Sequence, residues 1–166
     1  MMLDIFSLTL ILSILLCSLI AGLVFGFAVV VMPGIAELPD RDFLISFKQM
    51  DRIIQNNQPI FMMVWVGSIV SIIIMSVIGF QNLVISQTIL LGFALLFYLV
   101  GVQLPTARFN IPLNNSLQDM DIVGSEETEL AIFRKKFENK WNRWNRFRTI
   151  NAIFSVIIML FVLSQL

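Results

Sequence analysis

Four long runs of this chain, Ile5 to Met32, Pro59 to Phe80, Ile85 to Leu104 and Thr149 to Leu166, contain no charged residue. Each approaches or exceeds the roughly 20 mostly apolar residues that an α-helix needs to cross the hydrocarbon core of a bilayer. Lipid offers a backbone no water to hydrogen-bond, so runs of this kind become helices. The expected fold class is therefore all-α, a four-helix transmembrane bundle with two amphipathic cytoplasmic helices and spans at about 5–33, 59–80, 85–105 and 147–166. Such spans use most of the 166 residues and leave no separate soluble domain, so residues 1–166 read as a single integral membrane domain. Charged residues make up 13% of the chain, against about 25% in an ordinary soluble domain.

The 11 Lys and Arg residues all fall in Arg41 to Arg52 or Arg108 to Arg148. Cytoplasmic loops collect Lys and Arg. Both segments are thus expected in the cytoplasm, with the two termini and the link Gln81 to Ser86 on the opposite face of a bacterial inner membrane. The first run starts Met1-Met2-Leu3-Asp4 and stays apolar to Met32. It lacks the basic start and short apolar stretch of a secretory leader, and is expected to be retained as a span. The 11 acidic residues balance the basic ones to a net charge of zero, so no dominant basic surface exists and nucleic acid is not an expected partner. The basic run Arg134, Lys135, Lys136, Lys140, Arg143, Arg146 and Arg148 suits anionic lipid headgroups.

The chain has no His and one Cys, Cys17. The common ligand sets for zinc, copper and non-haem iron cannot be assembled from it, and haem would need an unusual axial pair from Met or Tyr98. Ser-His-Asp and Cys-His catalysis are excluded, and no Gly-rich phosphate loop is present. Neither a metal nor an organic cofactor is expected. The spans carry no ionisable residue near their centres, which argues against a proton-coupled transporter or an ion channel. Ser18, Gly22 and Gly26, with Gly67 and Ser71, permit close helix packing. They favour a tight bundle over a pore, and could also meet a second copy or another membrane protein.

Polar segments carry the remaining information. Pro39-Asp40 reads as a helix start capped by Asp40, followed by an apolar stripe of Phe43, Phe47, Met50 and Ile54 that lies on the bilayer or on the end of the bundle. It ends in Gln55-Asn56-Asn57-Gln58 before Pro59, which suits a first helical turn. Pro33 and Pro105 are expected to mark the exits of two spans, because proline lacks the donor that continues a helix. The two halves built around them look alike. Arg108 to Asn115 reads as an irregular stretch, interrupted by Pro112, that tucks into the bundle mouth. From Ser125 a helix begins with Glu126, Glu127 and Glu129 and continues to Arg134, Lys135 and Lys136, the charge order a helix dipole favours. It runs into the fourth span through Trp141, Trp144, Asn145 and Arg148, which share one helical face.

An aromatic and basic belt at the interface accounts for Trp and Arg there, but it does not require Asn142, Asn145 and Asn151 beside them. Amide and ionisable groups within a span usually face the bundle interior. That rule singles out Arg148 and Asn151; together with Asn145 beside them and the amides Asn57, Asn110 and Asn114 of the cytoplasmic segments at the bundle mouth, they are the candidate ligand-binding residues. No catalytic residue stands out.

The elements Val31-Met32-Pro33-Gly34, Asn56 to Pro59, Asn110-Ile111-Pro112-Leu113-Asn114 and Trp144-Asn145 with Arg148-Thr149 together resemble the anthrone oxygenase-like membrane proteins. The likeness runs from about Ala21 to the last span. It implies binding of a small hydrophobic molecule and, by analogy with fungal members implicated in oxidising anthrones to anthraquinones without metal or flavin, oxidation by dioxygen. Many relatives carry His after the Trp-Asn pair, where this chain has Arg146. With no His, a base would have to be a carboxylate such as Asp51 or Glu37, and Arg148, Asn114 and Asn145 would supply oxyanion donors. Non-catalytic binding or transport of a lipid or small molecule, and a structural accessory subunit, are the other two readings.

Overall fold

In the computed structural model, which describes residues 4–166, the chain forms five helices and, among the described residues, no strand. We label them α1 (Ile5–Ala36), α2 (Asp40–Gln55), α3 (Pro59–Asn82), α4 (Ile85–Gln118) and α5 (Glu127–Leu163). All but α2 are long and apolar enough to cross a membrane. Short links make sequential helices antiparallel, and each of the four lies against two others in the ring α1, α3, α4, α5. Side chains such as Leu15, Met63, Leu96 and Phe154 stay half exposed on the outside of this ring. That surface is stable only in lipid, and the molecule is an integral membrane bundle.

Two cores fill it. Among the spans, Leu10, Cys17, Ile72, Met75, Leu91, Tyr98 and Met159 are completely shielded. At the end where α2 lies, Phe43, Leu44 and Phe47 meet Leu117, Leu130, Phe137 and Trp141. The buried face of α2 is thus Phe43, Leu44, Phe47 and Asp51, rotated from the expected stripe; Met50 and Ile54 are only half buried. Asp40 does not cap α2. Pro39 occupies that position, and the Asp40 carboxylate accepts instead from Arg134 Nη1 at 2.9 Å.

Proline ends none of these helices. Pro33, Pro105 and Pro112 all lie inside continuous helix, and a wide π-helical turn precedes each one. Met32 N–H reaches back to Phe27 O, Leu104 N–H to Leu99 O, and Ile111 N–H to Thr106 O. In an α-helix the pyrrolidine ring clashes with the carbonyl four residues earlier and leaves it without a donor. Widening the preceding turn by one residue moves that carbonyl aside, so the helix survives. Arg108 to Asn115, expected to be irregular, is accordingly helical throughout.

Arg41 and Arg134 fasten the α2 end. Arg41 donates to Glu127 at 2.8 Å, to Ser125 O at 2.9 Å, and to Ile122 O. Arg134 binds Asp40 and Glu138, donates to the carbonyls of Ala36, the last residue of α1, and Leu38 in the link beyond it, and lies 4.3 Å over the Phe43 ring.

Candidate functional site

All five helices contribute to a cavity of about 220 Å³ at the α2 end of the bundle. Pockets for drug-sized ligands usually run from about 300 to 1,000 Å³, so this space suits a smaller occupant. Its wall is largely apolar, with Val24 and Phe27 from α1, Phe47 from α2, and Phe61 and Trp65 from α3. The polar wall comes from α4 and α5. On α4, Gln103, Thr106, Asn110 and Asn114 recur at spacings of three and four and form one stripe that faces the cavity. On α5, Trp141, Asn145 and Arg148 do the same.

Five of the six candidate residues, Asn57, Asn110, Asn114, Asn145 and Arg148, line this one space. Asn57 does so from the α2–α3 link, with a backbone φ of 55°, a left-handed conformation that Asn tolerates better than most residues. Asn151 lies elsewhere: it donates to Phe147 O at 2.7 Å and packs over Gly101, where any Cβ would collide with it. The expected ridge on α5 also divides. Trp141, Asn145 and Arg148 are buried, while Trp144 stacks on Phe109 outside the cavity, with ring centroids 3.7 Å apart. At 3.6 residues per turn Trp144 sits at the edge of the arc that the other three share. Arg146 is exposed and does not reach the cavity, so the departure at that position removes nothing from the cavity wall.

Two oppositely charged groups face the space. Asp51 is 4% exposed and, among the described residues, has no cation within ion-pair distance; its carboxylate accepts from Asn114 Nδ2 at 2.6 Å, Gln118 Nε2 at 2.8 Å and Gln55 Nε2 at 3.4 Å. Asn114 then accepts from Trp141 Nε1 at 2.9 Å, which fixes both ends of its amide. A carboxylate has about four acceptor sites, so three amides leave room for one more donor. Arg148 is 7% exposed and likewise has no carboxylate partner among the described residues. Its Nη1 donates to Thr106 Oγ1 at 3.0 Å and its Nη2 to Asn145 Oδ1 at 2.8 Å, while Asn145 Nδ2 is held by Val24 O. Glu37, the other carboxylate considered, is exposed and remote from the cavity lining.

Among the described residues, three buried side-chain atoms lack a hydrogen-bond partner: Gln103 Nε2, Asn110 Oδ1 and Arg148 Nε. All three belong to residues that line this cavity. Buried polar atoms are nearly always paired, so the grouping of all three at one cavity wall sets this region apart from the rest of the bundle. Gln103 and Thr106 escaped selection from sequence, and Asp51 entered only as one of two carboxylates that could serve as a base. The first two belong to a polar stripe hidden by reading Pro105 and Pro112 as breaks, and Asp51 sits among other charged residues of α2 that face outward.

No curated protein and no solved structure gives a significant match. A family model described as anthrone oxygenase matches residues 50–158, from the end of α2 that carries Asp51 through most of α5. That match covers more than half of the chain and includes Asp51, the α4 stripe and Arg148, and the protein therefore belongs to the anthrone oxygenase family.

Proposed function

We propose that the protein binds a small, ring-based ketone in this cavity, at the cytoplasmic side of the membrane, and oxidises it with dioxygen without a cofactor. The observation that carries this reading is a buried carboxylate and a buried guanidinium lining one largely apolar cavity, neither neutralised by an ion pair among the described residues.

An anthrone has an acidic C–H on the carbon across the ring from its carbonyl. Asp51 removes that proton, and the negative charge moves onto the carbonyl oxygen as an enolate. Arg148 donates to this developing oxyanion from a largely apolar wall, whose low polarity strengthens the interaction. The enolate passes one electron to dioxygen, and the resulting radical pair combines to a peroxide anion at the deprotonated carbon, which takes back the proton held by Asp51 to give the hydroperoxide. Asp51 then removes the second proton from that carbon, the O–O bond breaks, and the departing hydroxide takes that proton to leave as water as the second carbonyl forms. One anthrone and one dioxygen thus give one anthraquinone and one water, with no outside reductant.

The test is oxygen uptake by protein in lipid nanodiscs supplied with anthrone. We expect one dioxygen consumed per anthraquinone formed, at a rate above empty nanodiscs. A positioned general base contributes about 10² to 10⁴ in rate, so Asp51→Asn is expected to lose at least a hundredfold of the enhancement. Uptake equal to that of empty nanodiscs would remove the catalytic reading; tight anthrone binding without uptake would make the protein a carrier.

A further inference from the structure

We propose that Gln103 is the residue that selects ligands carrying an acceptor oxygen, and that Trp65 positions it to do so. This rests on the ligand reading of the cavity given above, and adds a residue that neither the family resemblance nor the charged pair assigns.

Gln103 closes the π-helical turn Leu99–Gln103 and lines the cavity beside Trp65. An amide can present either its oxygen or its nitrogen to a neighbour, and what it faces decides which. Here the decision is made by Trp65. Its indole nitrogen can only donate, and Trp65 Nε1 donates to Gln103 Oε1 at 2.9 Å. The oxygen is thereby turned toward the indole, and Nε2 is left buried with no acceptor. Arg148 shows the same pattern, because both Nη atoms are committed to Thr106 and Asn145 and its Nε remains unpaired. The cavity therefore offers two unmet donors from two helices. A guest with a carbonyl or enolate oxygen satisfies them. A hydrocarbon of the same shape leaves them buried and unpaired, which disfavours it.

The experiment is equilibrium dialysis, under nitrogen to prevent oxidation, of nanodisc-embedded protein against empty nanodiscs. Two probes are compared: anthrone and dihydroanthracene, the same tricycle without the oxygen. Wild type is expected to favour anthrone by at least about tenfold, as one such hydrogen bond implies. Gln103→Met keeps length and loses the donor, and is expected to reduce that preference about tenfold, with anthrone bound more weakly and dihydroanthracene no more weakly than by wild type. Trp65→Phe retains Gln103 but frees its amide to turn, and is expected to lower the preference by a smaller factor. A preference unchanged in Gln103→Met would overturn the assignment while leaving the cavity reading intact. Loss of both probes alike in that variant would show a packing role and also overturn it. Binding of neither probe by wild type would remove the cavity reading and this assignment together.

Discussion

Replacing Asp51 by Asn keeps the size of the side chain and inverts half of its chemistry. The native carboxylate takes two short bonds, from Asn114 at 2.6 Å and Gln118 at 2.8 Å, and the longer one from Gln55. Asn can accept one of the short pair and must turn an NH₂ group toward the other. A hydrogen bond to a charged group contributes about 1.5–3 kcal/mol and a neutral one about 1. The substitution therefore loses about 2 kcal/mol at one donor and about 1 at the other. Relief of the cost of burying a charge offsets part of this, leaving a destabilisation of about 2 kcal/mol. Asn114 cannot escape by flipping, because its oxygen holds Trp141 Nε1 at 2.9 Å. Strain at Asp51 should consequently appear at Trp141. Unfolding by SDS in mixed detergent micelles would measure the first effect. Emission of Trp141, in a background where Trp65 and Trp144 are Phe, would report the second. Stability within about 0.5 kcal/mol of wild type, together with unchanged Trp141 emission, would refute this account of the Asp51 network.

Three further outcomes follow from the packing. Gly101→Ala drives a methyl into Asn151 at the α4–α5 crossing and is expected to cost about 1–3 kcal/mol, read in the same SDS titration; Asn151→Gly in the same chain should restore most of it. Pro105→Ala removes the cause of the Leu99–Gln103 π turn, so the turn should tighten to α and rotate Gln103 away from the cavity. Stability should then hold while anthrone binding, followed by dialysis, falls. Arg134→Leu strips two carboxylates and two carbonyls of their donor and is expected to cost about 2–4 kcal/mol, with Arg134→Lys recovering only part, since an ammonium cannot match the planar fork.

The four spans were legible because uncharged runs of this length have few alternatives to membrane helices. Asn145 and Arg148 could be singled out because polar groups on apolar helices turn inward, and Asn110 and Asn114 because their stretch was expected to tuck into the bundle mouth; the structure brings all four to one cavity together with Asn57. Helix continuity through Pro33, Pro105 and Pro112 was not legible. A π turn changes the register by one residue without altering composition, so periodicity reads the proline as an end. That error concealed the stripe Gln103, Thr106, Asn110 and Asn114, whose spacing is plain once α4 is known to be unbroken. Asp51 was weighed only as one of two carboxylates. Its amide partners Asn114 and Gln118 are more than 60 residues away, and no local pattern announces them. Asn151 was selected by its position in the span alone; it lies outside this cavity, against Gly101, whose missing side chain receives it.

The central claim is that a small apolar molecule occupies the space between Asp51 and Arg148. Native mass spectrometry of protein released from lipid nanodiscs after exposure to anthrone without oxygen tests it most directly, with wild type, Asp51→Asn and Arg148→Ala side by side. The account predicts one added anthrone mass on wild type and its depletion in Arg148→Ala, where the cation facing the oxygen is gone. Bare protein in all three, or equal occupancy in all three, would contradict it.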